Sequence, residues 1–336
     1  MYIYYTLVDS YLRNYTLKTN TEEIMSTYKC KTPIVLIIFN REDTTRKVFE
    51  RIKEVEPEEL FIISDGPREN KVGENELVQA TRNIIKDVSW KCNVHTNFSE
   101  KNLGCTLRVS TGLDWVFSQT EQAIILEDDC YPNISFFRYC DELLEKYKDN
   151  PEIMMISGNN NSLTECEDSF YFTNYFHIWG WATWKRAWDK NEIDVISWPS
   201  FKRRQGLKKY FSKPSELYYW SHVFDLVYKN LVTSWDISWV YSCYKNGGIS
   251  IAPKYNLISN IGFGENATHT SGNSIYANVE TKELDFPLQY PKSFSVNSQL
   301  DEIERKIRNK DSKRLPFPLQ VIAGKIKWFI RGLRKK

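Results

Sequence analysis

Three consecutive carboxylates are the residues of this 336-residue chain best placed to do chemistry. Glu127, Asp128 and Asp129 directly follow an apolar run at 123–126. A short apolar run ahead of acids is typical of a buried strand that delivers charge at its carboxyl end. Charges this close repel one another, so they need solvent, a cation or a basic partner to stay ionised. The triplet is therefore either a divalent-metal site or a solvated acidic turn.

The segments around the triplet predict an α/β fold with a mostly parallel central sheet flanked by helices. Three short apolar runs, at 34–39, 60–63 and 123–126, and a predicted third strand at 92–96 alternate with three helical patterns. This alternation favours a parallel sheet in one large domain. Ligands bind such sheets beyond the carboxyl ends of the strands, where this chain places Asn40, Arg41, Asp65 and the triplet. A further strand is expected at 153–157, followed by a flexible polar loop at 158–162.

An aromatic segment at 177–188 gives two alternatives. Four tryptophans, at 179, 181, 184 and 188, surround Gly180. They form either a packed aromatic cluster or a platform for a flat, amphipathic ligand such as a sugar ring. In the second case Trp179, Gly180 and Trp181 bind the acceptor, and the glycine lets the backbone approach it closely.

Two later residues are candidates for catalysis and metal binding. Asp236 lies between two indoles in SWDISW, where apolar surroundings can make an acid a proton acceptor. Its alternative is a carboxylate that caps or hydrogen-bonds a helix. His269 ends a Gly-rich loop and is either an exposed structural residue or an additional ligand for manganese.

Composition restricts the partners and the compartment. With 45 basic and 43 acidic residues, the chain has no global attraction to nucleic acid. Its seven cysteines are scattered and include no CxxC pair, which indicates a reduced compartment without zinc or a disulfide framework. The amino-terminal segment does not resemble a secretory signal, and no stretch is apolar enough to span a bilayer. These features predict a cytoplasmic protein.

The carboxyl-terminal segment predicts a basic amphipathic helix. Ile322, Ile326, Phe329, Ile330 and Leu333 share one face of a helical wheel, while Lys327, Arg331 and Arg334 lie elsewhere. Such a helix suits the anionic inner surface of the cell membrane, which would make the protein peripheral there. The alternative is a helix packed on the domain with a basic end.

In order, these segments resemble a nucleotide-sugar-dependent glycosyltransferase of the GT-A fold, in particular the bacterial proteins similar to N-acetylglucosaminyltransferase I. The resemblance covers about residues 32–275. It rests on VLIIFNR at 35–41, IISDG at 62–66, ILEDD at 125–129, GWATW at 180–184, SWDISW at 234–239 and GFGENATHT at 262–270. It implies a polar leader at 1–31, a nucleotide-sugar-binding half at 32–150, an acceptor-binding half at 151–285 and a tail at 286–336.

The resemblance also implies residue roles. Asp129 would bind Mn²⁺, or Mg²⁺, which bridges the diphosphate of the donor, while Glu127 and Asp128 orient the ribose, the sugar or coordinated water. Arg41 and Asp65 match the uridine contacts of the family, and Asn40 lies beside them. Asp236 would deprotonate the acceptor hydroxyl with inversion at the sugar, and His269 matches a late histidine at the metal or diphosphate. The donor is then a UDP-sugar and the acceptor a glycan or glycolipid.

Two other classes of function are compatible with the residues. A sugar nucleotidyltransferase shares the scaffold, but such enzymes carry a Gly-rich basic loop after the first strand, and 34–45 contains no glycine. A catalytically silent protein that binds nucleotide sugars or glycans is the other, because a fold does not fix a function. It predicts that Asp129 and Asp236 are dispensable.

Overall fold

The structure, a computed structural model, describes residues 28–263 and 275–311. Most of the predicted polar leader, His269 and the predicted basic amphipathic helix lie outside these residues. Within them, no helix is long and apolar enough to cross a membrane.

The first half of the chain alternates strands and helices, as predicted. Its elements are β1 (Ile34–Ile38), α1 (Glu42–Glu54), β2 (Glu59–Ser64), α2 (Glu74–Arg82), β3 (Asn93–Phe98), α3 (Cys105–Phe117) and β4 (Gln122–Glu127). The apolar side chains of β1 are buried on both faces, which explains why the strand is a continuous apolar run.

The second half is less regular, and the sequence predicts only part of it: a helix that begins at Asn133 or Ser135, the strand at 153–157 and a strand after the glycine turn at 247–248. It comprises β5 (Cys130–Pro132), α4 (Ile134–Tyr147), β6 (Ile153–Ser157), β7 (Phe170–Thr173), β8 (Trp181–Trp184), α5 (Lys185–Trp188), α6 (Trp198–Arg203), α7 (Pro214–Tyr228), α8 (Trp235–Lys245), β9 (Ile249–Pro253), β10 (Ile258–Asn260) and α9 (Ser298–Asp311). Helix α9 lies within the predicted tail and was not foreseen.

Eight strands form one mostly parallel sheet flanked by helices, which confirms the predicted fold class at this level. Their order is β3-β2-β1-β4-β8-β6-β9-β7, with β8 and β7 antiparallel to their neighbours. Because β8 is reversed, its start lies beside the carboxyl end of β4, with Trp181 opposite Ile125. The aromatic segment therefore reaches the same edge of the sheet as the acidic triplet.

The core has two layers, one on each face of the sheet. On β1, Ile34, Leu36 and Ile38 belong to one layer, whereas Val35 and Ile37 belong to the other, as the two-residue period of a strand requires. The first layer packs against α1 and α4. The second packs against α3 and α8 and contains most of the buried tryptophans.

The polar loop at 158–162 is an ordered part of the interior, so the expectation of flexibility was wrong. Asn159, Asn160 and Ser162 are buried. The Asn160 amide nitrogen donates hydrogen bonds to the carbonyl oxygens of Thr164 and Lys254. Side-chain amides that satisfy buried backbone groups hold such a loop in one conformation.

Helix α9 docks on the second half through buried acids. The Asp301 carboxylate accepts hydrogen bonds from the Thr173 hydroxyl and the Asn174 backbone, at 2.5 and 3.1 Å. Glu304 contacts the His177 ring at 3.2 Å, and Glu216 pairs with Arg308. Burial raises the pKa of Asp301 to about 7, and the nearby charge of Glu304 adds to the increase.

This raised pKa predicts a pH-dependent stability. The folded state holds the Asp301 proton more tightly than the unfolded state, so this contribution is greatest near pH 4 and is lost as the pH rises through 7. Asp301→Asn mimics the neutral acid. We expect the stability of the variant relative to the wild type to increase by on the order of 2–4 kcal/mol between pH 4.5 and 8. Urea unfolding at both pH values measures this change, and an equal difference at both would contradict it.

Candidate active site

The acidic triplet forms a turn at the carboxyl edge of the sheet. Glu127 is the last residue of β4, and β5 begins at Cys130. Strand β5 pairs with β10, and the Ile261 backbone nitrogen donates to the Asp129 carbonyl oxygen at 2.9 Å. The turn is therefore fixed from both sides, and Asp128 is only 4% exposed, which argues against a solvated acidic turn.

Arg41 supplies the positive charge that the triplet requires. It immediately precedes α1, and its guanidinium forms an ion pair with Asp128 and a second with Asp129, the latter at 2.9 Å. Burial alone would lower the pKa of Arg41, but the charges of the two aspartates outweigh this effect and raise it. In this structure the Arg41 guanidinium is bound to the two aspartates. The predicted contact between Arg41 and a uracil base would require the guanidinium to leave them.

The remaining acid of the triplet lacks such compensation. Burial and the charges of Asp129, Asp128 and Asp236 together raise the pKa of Glu127 to about 8. For Asp128, burial raises the pKa to about 6, although Arg41 acts in the opposite direction. Without a cation, Glu127 therefore keeps its proton near pH 7, and a cation bound at this edge would favour its ionised form.

Asp236, from the second half of the chain, lies close enough to the triplet for its charge to act on Glu127. It lies in the first turn of α8, where the Ser234 hydroxyl donates a hydrogen bond to its carboxylate. Its charge contributes to the raised pKa of Glu127. Its charge also acts on the thiol of Cys105 at the start of α3. The structure thus brings the predicted base and the predicted metal site together.

Asp65 holds a loop in place. Its carboxylate accepts four hydrogen bonds, from the backbone nitrogens of Gly66, Leu103 and Gly104 and from the Asn102 amide, at 2.9–3.1 Å. A carboxylate accepts about four hydrogen bonds, so these donors occupy all its acceptor positions. The predicted bond to a uracil N–H would therefore have to replace one of them.

Asn40 belongs to a second network beside Asp65. Its amide donates to Glu74 at 3.0 Å, and the buried Glu74 carboxylate also pairs with Arg68. The Arg68 guanidinium lies 5.5 Å from the centre of the Phe39 ring. Glu74 and Arg68 were not foreseen, because they lie in a helix and a loop whose only sequence signal is polarity.

The aromatic segment divides into a buried part and an accessible part. Trp181 is 0% exposed and stacks on Trp235 with ring centres 6.0 Å apart, so it belongs to the packed cluster. Trp179 is half-buried and contacts Phe263 edge-on at 5.8 Å. An acceptor could reach Trp179 in this structure, whereas Trp181 offers it no surface.

Gly180 is in close contact with a neighbouring strand. Its φ of +62° favours glycine, and a Cβ there would lie 2.4 Å from a methyl carbon of Ile258. The close approach in this structure is therefore to the side chain of β10, and the predicted approach to an acceptor stays a prediction.

The segment after β10 covers Asp129. A Cβ on Gly262 would lie only 2.1 Å from an Asp129 carboxylate oxygen, so the backbone passes in direct contact with this acid. Gly262 donates its backbone N–H to the Asn260 side chain at 2.9 Å. His269 follows seven residues later, outside the described residues, and its predicted role at the metal stays a prediction.

The described residues of the candidate site supply only some of the ligands that a divalent cation needs. In the described part of the chain, no group of three or more His, Cys, Asp or Glu side chains could hold a metal ion. Glu127 and Asp129 provide the carboxylate oxygens that Mn²⁺ and Mg²⁺ prefer. Cations held by one or two carboxylates usually complete their coordination with substrate phosphates and water. Binding at this edge would therefore depend on a phosphate-bearing ligand.

Comparisons with known proteins do not assign this chain to a family. No family model matches it, and no curated protein matches it. A mannosyltransferase from Pyrobaculum calidifontis, in complex with GDP-Man and Mn²⁺, is 12% identical over 47% of this chain and 45% of its own, with a TM-score of 0.32. Less than half of that enzyme is therefore matched.

Two nucleotidyltransferases are similar to the same limited degree. An apo UDP-glucose pyrophosphorylase is 11% identical over 68% of this chain and 93% of its own, with a TM-score of 0.34. The inositol-1-phosphate CTP transferase from T. maritima is 13% identical over 83% and 98%, with a TM-score of 0.31. Similarity at this level does not show an activity for this chain.

Proposed function

We propose that this protein is a metal-dependent glycosyltransferase that transfers a sugar from a nucleotide diphosphate sugar, in the first place a UDP-sugar, to a hydroxyl group of a glycan or glycolipid. One observation carries the proposal. The charge of Asp236, an acid of α8, acts on an acidic turn at the carboxyl edge of the parallel strands, where Arg41 already compensates two of the charges. Transfer needs both a diphosphate-binding edge and a separate proton acceptor, and the proximity of these acids supports assigning one role to the turn and the other to Asp236.

Asp129 and Glu127 would hold the cation, Asp129 as the direct ligand. When bound, Mn²⁺ or Mg²⁺ neutralises charge on the diphosphate leaving group. Arg41 lies within hydrogen-bond distance of Asp128 and Asp129 and can offer part of its guanidinium to a phosphate oxygen. Asp128 is largely committed to Arg41, so its contribution is to keep that guanidinium in position.

Asp236 would accept the proton of the attacking hydroxyl. The hydrogen bond from Ser234 orients its carboxylate, and the start of α8 holds it beside Glu127. A base that acts directly on the acceptor implies one displacement with inversion at the sugar carbon. Trp179, the accessible indole of the aromatic segment, is the candidate platform for the acceptor ring.

Nucleotidyl transfer is less well supported by the same edge. No glycine lies between β1 and α1, and the first turn of α1 carries Glu42 and Asp43. Acidic residues at a helix amino terminus occupy the position that favours bound phosphate and would repel a triphosphate.

A panel of nucleotide sugars tests the proposal directly. We expect one donor to release its nucleoside diphosphate in the presence of Mn²⁺, and EDTA to abolish the release. Release of pyrophosphate from a nucleoside triphosphate and a sugar 1-phosphate would instead identify a nucleotidyltransferase. Metal-dependent binding of a donor without turnover, with a full panel of acceptors, would identify a silent binding protein.

Substitution of Gly262 tests whether Asp129 must keep its position. Gly262→Ala places a methyl group against the Asp129 carboxylate, so we expect at least a tenfold loss of Mn²⁺-dependent affinity for UDP. Gly158→Ala is the matched control, because its added carbon would meet Ile258, Phe136 and the Gly180 carbonyl, and no atom of Asp129. Equal affinities of the two folded variants, measured by calorimetry, would show that the contact at Gly262 is irrelevant to binding.

A further inference from the structure

A dense run of basic residues lies far from the candidate active site. Residues 201–213 contain six basic and no acidic side chains, in a chain whose total net charge is only +2. All six are exposed, and we call them the basic patch: Lys202, Arg203, Arg204, Lys208, Lys209 and Lys213. The run covers the end of α6, a short 3₁₀ helix at Gly206–Lys209 and the residue before α7.

The basic patch is almost uncompensated. Lys202 forms an ion pair with Asp225 at 2.7 Å, and among the described residues none of the other five has a carboxylate within ion-pair distance. The Lys209 ammonium donates to the Gly247 carbonyl oxygen at 3.0 Å. Uncompensated cations concentrated on one surface attract a polyanionic partner.

The patch lies at the end of α8 opposite to Asp236. Gly247 follows the last residue of α8 by two positions, whereas Asp236 is in the first turn of the helix. An 11-residue helix is about 16 Å long, so a partner on the patch does not reach Asp236 directly. The patch therefore has no part in the proposed transfer chemistry.

Helix α9 lies beside one end of the basic patch. Its residues Ser298, Asp301, Glu302 and Arg305 line one cleft together with Ser212, Lys213 and Glu216. The Arg308 guanidinium, one turn before the end of the helix, pairs with Glu216 at the start of α7. The chain thus leaves the described part near the patch, and residues 312–336 that follow contain eight basic and no acidic residues.

An exposed apolar side chain favours a lipid surface over a nucleic acid. Ile196 is 71% exposed and precedes α6 by two residues. In sequence, residues 312–336 also contain Trp328 and Phe329. Cations together with an exposed aliphatic side chain suit a bilayer with anionic headgroups, where charge and apolar insertion act together.

From these observations we infer that the basic patch is a docking surface for an anionic membrane. Docking there leaves the acidic edge of the sheet about one helix length away from the bilayer. This inference is independent of the proposed function, because it concerns other residues and predicts binding without turnover.

Sedimentation of the full chain with vesicles tests the inference. We expect the wild type to bind vesicles that contain about 30% phosphatidylglycerol in 0.1 M salt, to be released by 0.5 M salt, and to ignore pure phosphatidylcholine. The variant Arg203→Gln/Arg204→Gln/Lys208→Gln should lose about 100-fold in partitioning, since each cation contributes about fivefold. The matched control Lys47→Gln/Lys86→Gln/Lys91→Gln removes the same charge from the opposite end of the sheet and should bind normally.

Three outcomes would overturn the inference. The patch variant could bind as well as the wild type, both triple variants could lose affinity equally, or the wild type could bind both vesicle types alike. Retention of the wild type on single-stranded RNA at 0.15 M salt, without sedimentation with vesicles, would identify a nucleic-acid surface instead. Melting temperatures of both triple variants should equal that of the wild type, which separates lost docking from lost folding.

Discussion

Asp129→Asn is expected to abolish metal-dependent binding of the nucleotide and to reduce transfer by about a thousandfold. The substitution keeps the size of the side chain but removes the charge that the cation requires, and one ion pair of Arg41 is lost with it. A thousandfold loss corresponds to about 4 kcal/mol, the scale of electrostatic stabilisation at a preorganised site. Titration calorimetry with UDP, with and without Mn²⁺, measures the binding, and nucleoside diphosphate release measures the transfer.

The control for this variant is an aspartate with the same chemistry and no place in the site. Asp87 forms an exposed ion pair with Arg46 at 2.8 Å, so Asp87→Asn should leave both measurements unchanged. Circular dichroism should show both variants folded. If Asp129→Asn binds UDP with unaltered dependence on Mn²⁺, Asp129 is not the metal ligand. The proposal that the acidic triplet is part of an active site would then be wrong.

Asp236→Asn should separate binding from chemistry. The amide oxygen can still accept the Ser234 hydrogen bond, so the start of α8 should keep its geometry. The variant can no longer take a proton, and loss of a general base typically costs 100-fold to 10,000-fold in rate. We therefore expect donor affinity within about threefold of the wild type and single-turnover transfer at least about 100-fold slower.

Asp194→Asn provides the matched control for Asp236. Asp194 is exposed and lies in the same half of the chain, so neither binding nor transfer should change. Full activity of Asp236→Asn would remove its assignment as the base. Equal losses of donor affinity and of transfer rate would assign it to donor binding instead, since a base acts only in the transition state.

The two substitutions together distinguish the proposed function from its alternatives. A silent binding protein should show no transfer in the wild type, so neither Asp129→Asn nor Asp236→Asn would have a transfer rate to reduce. A nucleotidyltransferase should show no dependence on an acceptor hydroxyl. The pair of variants thus tests the carboxylates of the turn and of α8 as separate functions.

The first half of the fold could be predicted because its signals are local. Buried parallel strands are continuous apolar runs, and the helices between them repeat apolar residues at helical spacing, so both can be identified within about ten residues. The end of β4 at Glu127 could also be predicted from neighbouring residues, because a charged triplet cannot continue a strand that is buried on both faces.

Most elements of the second half could not be predicted from such local signals. Strands β7 and β8 have only four residues each, and β8 is antiparallel within an otherwise parallel region, so its place between β4 and β6 depends on pairings between distant segments. Helix α9 has a polar sequence, and what fixes it is a set of buried acids that meet Thr173, His177 and the residues of α7. Such partners are not visible in the order of the residues.

The sequence by itself determined the acids of the turn and their position at the carboxyl end of a buried strand, since apolar composition and charge are properties of neighbouring residues. Only the tertiary structure decided that Arg41 compensates Asp128 and Asp129, that Asp65 is occupied by the loop before α3, and that Gly262 lies against Asp129. It also decided that Trp181 is core while Trp179 is accessible. The physical reason is that the neighbouring residues in the sequence look the same whether a carboxylate or an indole is structural or part of a site. Its role depends on which distant donors and side chains the fold packs against it.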